Sequence, residues 1–283
     1  MILGAHVPFN SDLSLSLIHA VDAGMTACQF FLGSPQSFRR HRLSENTIQS
    51  CIDLQSRFPI KVFSHFPYVA NLNGSKDKLA WNGCVIQDTK TTTIVKELQY
   101  ELSMLARLGG GVVVHPGCYP DRMIGLKTIA TTINKIEFSP NSTLLLENCA
   151  GEGSKLCKDL EEIKVVIDAV EPTKQPHVKV CIDTAHIWGQ GDYDLRLVSE
   201  IDRLFNEIEA TIGLEKLALI HLNDSEVELG SKKDRHKCIG TGYIWTKNTD
   251  SLKHLLLKCK DLKIPVVLET YESDVEIATQ LIS

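Results

Sequence analysis

The sequence predicts a (β/α)8 TIM barrel, a single domain spanning residues 1–283. Three observations carry that expectation. Eight short apolar runs alternate with stretches whose apolar residues recur at helical spacing, and no linker, repeat or composition shift divides the chain. The runs also tend to stop at a histidine or a carboxylate, and barrels of parallel strands carry their chemistry at those strand ends.

Ile2 to Val7 is the first run, ending in Gly4-Ala5-His6; Leu13, Leu17 and Val21 then mark a helix stopped by Gly24. Thr26 to Leu32 is the second, followed by a turn-rich, cationic loop from Gly33 to Arg42. Ser44 is placed to cap a helix reaching Phe58-Pro59, and Lys61 to Phe66 is a third strand with His65 near its end. Ile94, Leu98, Leu102, Leu105 and Leu108 line a long helix closed by Gly109-Gly110-Gly111, read as a helix C-cap because no helix start follows the glycines to make a phosphate cradle. Val112 to Val114 leads to His115, and a helix of Ile129, Ile133 and Ile136 follows. Leu144-Leu145-Leu146 ends in Glu147, and Leu160, Ile163, Val166, Ile167 and Val170 mark the next helix. Val180-Cys181-Ile182 ends in Asp183-Thr184-Ala185-His186; on a strand Asp183 and His186 would face opposite sides, but where the chain turns both can enter one cleft. A charged helix is expected over 194–212. Leu217 to Leu222 carries His221, its polar loop holds Asp234-Arg235-His236, and Leu252, Leu255, Leu256 and Cys259 mark one more helix before Pro265 to Thr270 brings Glu269.

Composition narrows the class. With 43% hydrophobic and 23% charged residues the chain can bury a large core, and no apolar run approaches the roughly 18 residues of a membrane span. The N-terminus lacks the layout of a secretory signal, so an intracellular enzyme is expected, in whichever compartment holds its substrate. Nine scattered cysteines without a C-x-x-C pair indicate core thiols, not a disulfide framework or a zinc finger. A formal charge of −5 argues against coating nucleic acid by bulk charge, although bound metal ions would change that sum.

Six of the ten histidines fall at strand ends or in the seventh loop, leaving His19, His41, His177 and His254 for the surface. Glu147 and Glu269 close apolar runs, where an unpaired carboxylate is costly. Acids and imidazoles converging on one barrel mouth are most simply explained by divalent metal, and mixed His/carboxylate donors suit zinc. His65, His115, Glu147, Asp183, His186, His221, Asp234, His236 and Glu269 exceed what one ion takes.

These motifs resemble a known family. Gly4-Ala5-His6-Val7, Glu147-Asn148 with Ala150-Gly151 and Gly153-Ser154, Cys181 to His186, His221-Leu222-Asn223-Asp224, Gly230-Ser231 with Asp234-Arg235-His236, Gly240 with Gly242, and Leu268-Glu269-Thr270 resemble the endonuclease IV family of apurinic/apyrimidinic endonucleases. The resemblance runs from the first strand to the last, and Ile187-Trp188 is similar to the branch found in large DNA viruses. It implies three Zn2+ ions per chain: one held by His65, His115 and the bridging Glu147, one by Glu147, Asp183, His221 and Glu269, and one by His186, Asp234 and His236. It further implies hydrolysis of the phosphodiester 5′ to an abasic site in duplex DNA, through a hydroxide shared by two ions, leaving a 3′ hydroxyl. The catalytic bridge would be Glu147, no protein nucleophile is needed, and a monomer without membrane association is expected.

Six charges from three ions would take −5 to about +1. Arg39, Arg40, Arg42, Lys232, Lys233, Arg235 and Lys237 lie in loops of the same expected face and could grip backbone phosphates. Tyr68 and Val69 are candidates to fill the gap left by a flipped-out abasic nucleotide. The family has tyrosine then leucine there, and an arginine in the loop after the second strand where this chain has Gln36. Two rivals remain open. A metal-dependent sugar isomerase or epimerase of the xylose isomerase-like type needs only Glu147, Asp183, His221 and Glu269, and a lesion-binding protein without catalysis would not need intact ligands.

Overall fold

The computed structural model describes residues 1–9, 11–74 and 89–282. Eight parallel strands close into a barrel whose neighbours run β1 (Leu3–His6), β2 (Ala27–Phe30), β3 (Lys61–His65), β4 (Gly111–Val114), β5 (Leu144–Glu147), β6 (Val178–Asp183), β7 (Leu217–His221) and β10 (Val266–Leu268), which returns to β1. Around it stand α1 (Leu13–Asp22), α2 (Glu45–Arg57), α3 (Thr89–Arg107), α4 (Arg122–Ile133), α5 (Leu160–Ala169), α7 (Val198–Thr211) and α8 (Thr249–Asp261). Ser44 caps α2 as expected, and Asp12, Asp121 and Asp159 cap α1, α4 and α5, each accepting a first-turn N–H.

Two apolar clusters hold the barrel. The larger packs helices against the outside of the strands. The smaller fills the inside with Ala27, Phe63, Val113, Leu145, Cys181, Leu219 and Val267, one residue from each of seven strands. Side chains two apart on a strand face the same way. The layer above the inner plug is therefore Gln29, His65, His115, Glu147, Asp183, His221 and Glu269, and strand periodicity alone sets this ring of polar groups on an apolar floor. The β6–β7 register shifts between Val180 and Cys181 and brings Asp183 level with His221. On β1 the equivalent inner position is Gly4, where a Cβ would lie 1.6 Å from the Ala27 carbonyl oxygen.

The glycine triplet after α3 does end the helix: the Gly110 N–H returns to the Leu105 carbonyl, and a Cβ on Gly110 would lie 1.8 Å from the Val62 carbonyl oxygen. Three features differ from the expected layout. The charged helix starts at Val198, because Asp194 turns the chain instead by accepting from the Arg196 N–H and guanidinium. A short helix α6 (Thr184–Gln190) follows β6 directly, and α9 (Ser273–Leu281) closes the chain. The seventh loop also contains a small antiparallel pair, β8 (Asp224–Ser225) with β9 (His236–Lys237). The eight cysteines among the described residues are unpaired and six are buried; Cys84 lies outside them. No helix among the described residues is long and apolar enough to cross a membrane.

Candidate metal centre

The nine residues expected as ligands meet at the C-terminal mouth of the barrel. Donor atoms of eight of them form three groups, each within 4.8 Å: His65, His115 and Glu147; Glu147, Asp183, His221 and Glu269; and Asp183, His186 and His236. Glu147 belongs to two groups and Asp183 to two. The Glu147 Oε2 lies 3.1 Å from His65 Nε2 and 2.9 Å from His115 Nε2, while its Oε1 lies 3.0 Å from His221 Nδ1. In the third group Asp183, not Asp234, completes the close cluster; the Asp234 carboxylate instead spans both imidazoles, 3.0 Å from His186 Nε2 and 3.2 Å from His236 Nε2.

Asp183 reaches two groups because it ends β6 and caps α6, accepting from the His186 N–H at 2.9 Å. His186 thus sits in the first turn of a helix aimed at the mouth, which is how residues three apart come to share one cleft. Outer hydrogen bonds orient the imidazoles. His65 Nδ1 faces the Phe66 carbonyl at 2.8 Å, His186 Nδ1 the Asn148 carbonyl at 2.9 Å, and His221 Nε2 the Gln29 Oε1 at 2.8 Å. Each of these oxygens takes an N–H, so the opposite ring nitrogen is the one turned to the centre. The carboxylates are fixed likewise: Asn223 Nδ2 donates to Asp183 and Glu269, Gln29 Nε2 donates to Glu269, and Asn148 Oδ1 accepts the Asp183 N–H. Gln29 and Asn223 were not singled out from the sequence, though Gln29 is legible as the residue two after Ala27.

The electrostatics of the cluster are set by burial and by close pairing of acids with imidazoles. Burial alone would raise the Glu147 carboxyl, but the His115 and His221 imidazoles bring it well below its usual range. Burial would also raise Glu269, but the His221, His236 and His65 imidazoles together bring it down to about 2. Burial opposes charge on His236, yet Asp183, Asp234 and Glu269 raise it to about 9. Asp183 and Asp234 likewise raise His186 well above normal against burial. The His186 and His236 Nε2 atoms are buried without an aligned hydrogen bond. Buried carboxylates packed against imidazoles are a donor set that fits divalent zinc, which would take the place of the imidazole protons.

The seventh loop is built around Asp224. This buried carboxylate accepts five backbone N–H groups: Ser225 at 2.8 Å, Ile244 at 2.9 Å and Trp245 at 3.4 Å on Oδ1, with Gly240 and Gly242 at 3.0 Å on Oδ2. It also anchors the β8–β9 pair, in which Ser225 stands opposite His236. Glu152 fixes the other side by accepting the Asp234 N–H at 2.9 Å.

A cavity of about 400 Å3 opens onto the centre between Tyr68, Lys155, Arg235 and the ligands of the mouth. Tyr68 is 48% exposed, and its ring makes edge contacts with His65 at 5.2 Å and His115 at 5.5 Å; Val69 is half-buried beside it. Gln36, Arg39, Lys233 and Arg235 are exposed. Arg40 is a correction to the expected phosphate contacts: its guanidinium is buried, donates to the Ser34 and Ser37 carbonyls, and lies 3.6 Å from Glu101. It braces the loop after β2 and presents no charge to solvent. Arg42 pairs with Glu97 and packs over Tyr100, and Lys237 lies 3.6 Å from Glu226. His19, His177 and His254 are surface residues bonded to Glu272, the Ser142 carbonyl and Asp202. His6 packs on Phe31 near Gln29, and burial holds it down to about 4.

The model of the xylose isomerase-like TIM barrel family matches residues 17–280. A relative named probable endonuclease 4, from Halothermothrix orenii, is 32% identical over 99% of both chains. The chain is a member of the endonuclease IV family within those barrels. The crystal structure of endonuclease IV from Thermus thermophilus superposes with a TM-score of 0.80 at 26% identity, covering 99% of this chain and 97% of that one. A D-tagatose 3-epimerase-like protein shares the fold at a TM-score of 0.67 and 17% identity, covering 100% of this chain and 96% of that one. Endonuclease IV membership and the ring of donors thus point to the same barrel mouth.

Proposed function

We propose that this endonuclease IV family member is a zinc-dependent abasic-site endonuclease that hydrolyses the phosphodiester 5′ to the lesion in duplex DNA and leaves a 3′ hydroxyl. The observation that carries the reading is the linked set of three donor groups at one barrel mouth, which uses eight of the nine expected ligands, with the ninth, Asp234, against His186 and His236. His65, His115 and Glu147 would hold one zinc, Glu147, Asp183, His221 and Glu269 a second, and His186 and His236 with Asp234 or Asp183 a third. Zinc supplies Lewis acidity, acidifying water and neutralising charge that develops on the phosphate. The protein's part is orientation: Gln29, Asn148 and Asn223 fix the carboxylates and imidazoles, and Tyr68 covers His65 and His115 at the rim. Exposed Gln36, Arg39, Lys233 and Arg235 stand where a DNA backbone would pass, and Tyr68 with Val69 are the wedge that replaces the flipped nucleotide. The active unit is a monomer acting in the compartment that holds the DNA.

The epimerase reading has the shared barrel in its favour, and Glu147, Asp183, His221 and Glu269 alone would serve it. It leaves His65, His115, His186 and His236 without work. The test is incubation with duplex DNA carrying one abasic site, reading which side is cut, beside elemental analysis of protein purified without chelator. Incision 5′ to the lesion with about three zinc ions per chain is expected. One tightly held metal and no incision would transfer the case to the sugar enzyme.

A further inference from the structure

The cleft contains a cation that belongs neither to the ligand set nor to the expected DNA contacts. Lys155 lies in the loop after β5, and its backbone is held firmly. It bridges Cys118 in antiparallel fashion, and its carbonyl accepts from Arg122, itself locked by Glu162. The ammonium reaches back to Glu152 Oε2 at 2.6 Å and stands 3.8 Å from Asp234 Oδ2, with one third of the side chain exposed. Lys155 lines the 400 Å3 cavity of the metal centre and a neighbouring cavity of about 250 Å3 beside Val69, Asn71 and Cys118. The two cavities share Tyr68, His115 and Lys155, and among the described residues Lys155 is the one lysine or arginine lining the smaller cavity.

We propose that Lys155 is a substrate-binding residue that grips the phosphate flanking the lesion on the side away from the cut, seated in the smaller cavity. The inference rests on the abasic-endonuclease reading and names a contact within that site. A strand whose scissile phosphate lies among the ligands has its next phosphate on the far side of the lesion sugar, and the shared wall at Lys155 is where the cavities communicate. A phosphate there would meet a fixed positive charge, and a charge already oriented by Glu152 loses little freedom on binding. The same amine, if neutral, could attack the aldehyde of the ring-opened abasic sugar. The amine is assigned to binding, because it stands in the wall shared by the two cavities and is oriented there by Glu152.

The test compares the unaltered protein with Lys155→Met and Lys155→Arg on abasic duplex, measuring zinc content, binding against salt, and cleavage. For Lys155→Met, about tenfold weaker binding and a salt slope smaller by about one are expected, with zinc content preserved and most of the loss recovered in Lys155→Arg. An uncharged methylphosphonate at the flanking position should weaken the unaltered protein by the same factor and leave Lys155→Met unaffected. Equal sensitivity of both proteins to that replacement, loss of zinc in Lys155→Met, or a borohydride-trapped adduct dependent on Lys155 would each overturn the assignment. If the unaltered protein fails to cut abasic DNA, the functional reading falls and this contact with it. If it cuts while Lys155→Met binds normally, only the contact falls.

Discussion

Asp224→Asn is the most informative change outside the ligand set, because it alters one atom of a carboxylate that organises a whole loop. Five backbone N–H groups point at the two oxygens. An amide keeps one oxygen, so its NH2 must face either the Gly240 and Gly242 donors or those of Ser225, Ile244 and Trp245. Two N–H groups then lose their acceptor; facing the partly buried Gly240 and Gly242 donors is the cheaper choice, at about 1–3 kcal/mol in total. In a barrel of this size that lowers Tm by about 2 °C or more. The cost falls on the segment carrying His236, so, on the three-zinc proposal, the ion assigned to His186 and His236 should be the one most weakened. Thermal melts of metal-free protein measure the first effect and zinc analysis the second. A Tm shift under 1 °C with full zinc content would refute the claim that Asp224 builds the loop.

Glu147→Gln should reduce incision to near background while abasic duplex still binds, since a neutral amide is a poor bridge between two cations; cleavage and binding measured on one preparation decide it. Tyr68→Ala should weaken binding to abasic duplex much more than to intact duplex and preserve zinc, whereas equal loss on both would assign Tyr68 to packing alone. Glu101 is buried, and burial lifts it to about 7 against the pull of Arg40. Between pH 4.5 and 7 the folded state holds a proton that the unfolded chain has released, so this group's contribution to stability is largest at the acid end and declines as pH rises. Relative to Glu101→Gln, the unaltered protein should therefore lose about 3 kcal/mol across that window, and a constant difference in Tm from pH 4.5 to 7 would contradict the assignment.

The barrel was legible because its signals are local and repeated. Parallel strands buried on both faces read as continuous apolar runs, and the polar residue at each end interrupts them visibly at His65, Glu147 and Asp183. The ligand ring was legible for the same reason. What escaped depended on contacts distant in sequence. Arg40 looks like its neighbours Arg39 and Arg42, and only the fold shows that Glu101, Ser34 and Ser37 enclose it. Gln29 resembles any strand polar residue until the closed sheet sets it beside His221 and Glu269. The short helix α6 went unread because Asp183 serves as both strand end and N-cap. Lys155 had no signature, since its position depends on the seventh loop folding back over the fifth.

Glu147 and Asp183 each serve two donor groups, so the three groups form a chain with a shared link at each joint. On the three-zinc proposal, an ion at one end would draw on a carboxylate that the next position also uses, so the positions are coupled. By reciprocity, each ion should change the affinity of its neighbour by an equal factor, and titration of metal-free protein should depart from independent binding. Removing either shared acid would break the chain into independent segments. The protein would then pass from holding its ions as a set to holding them one at a time.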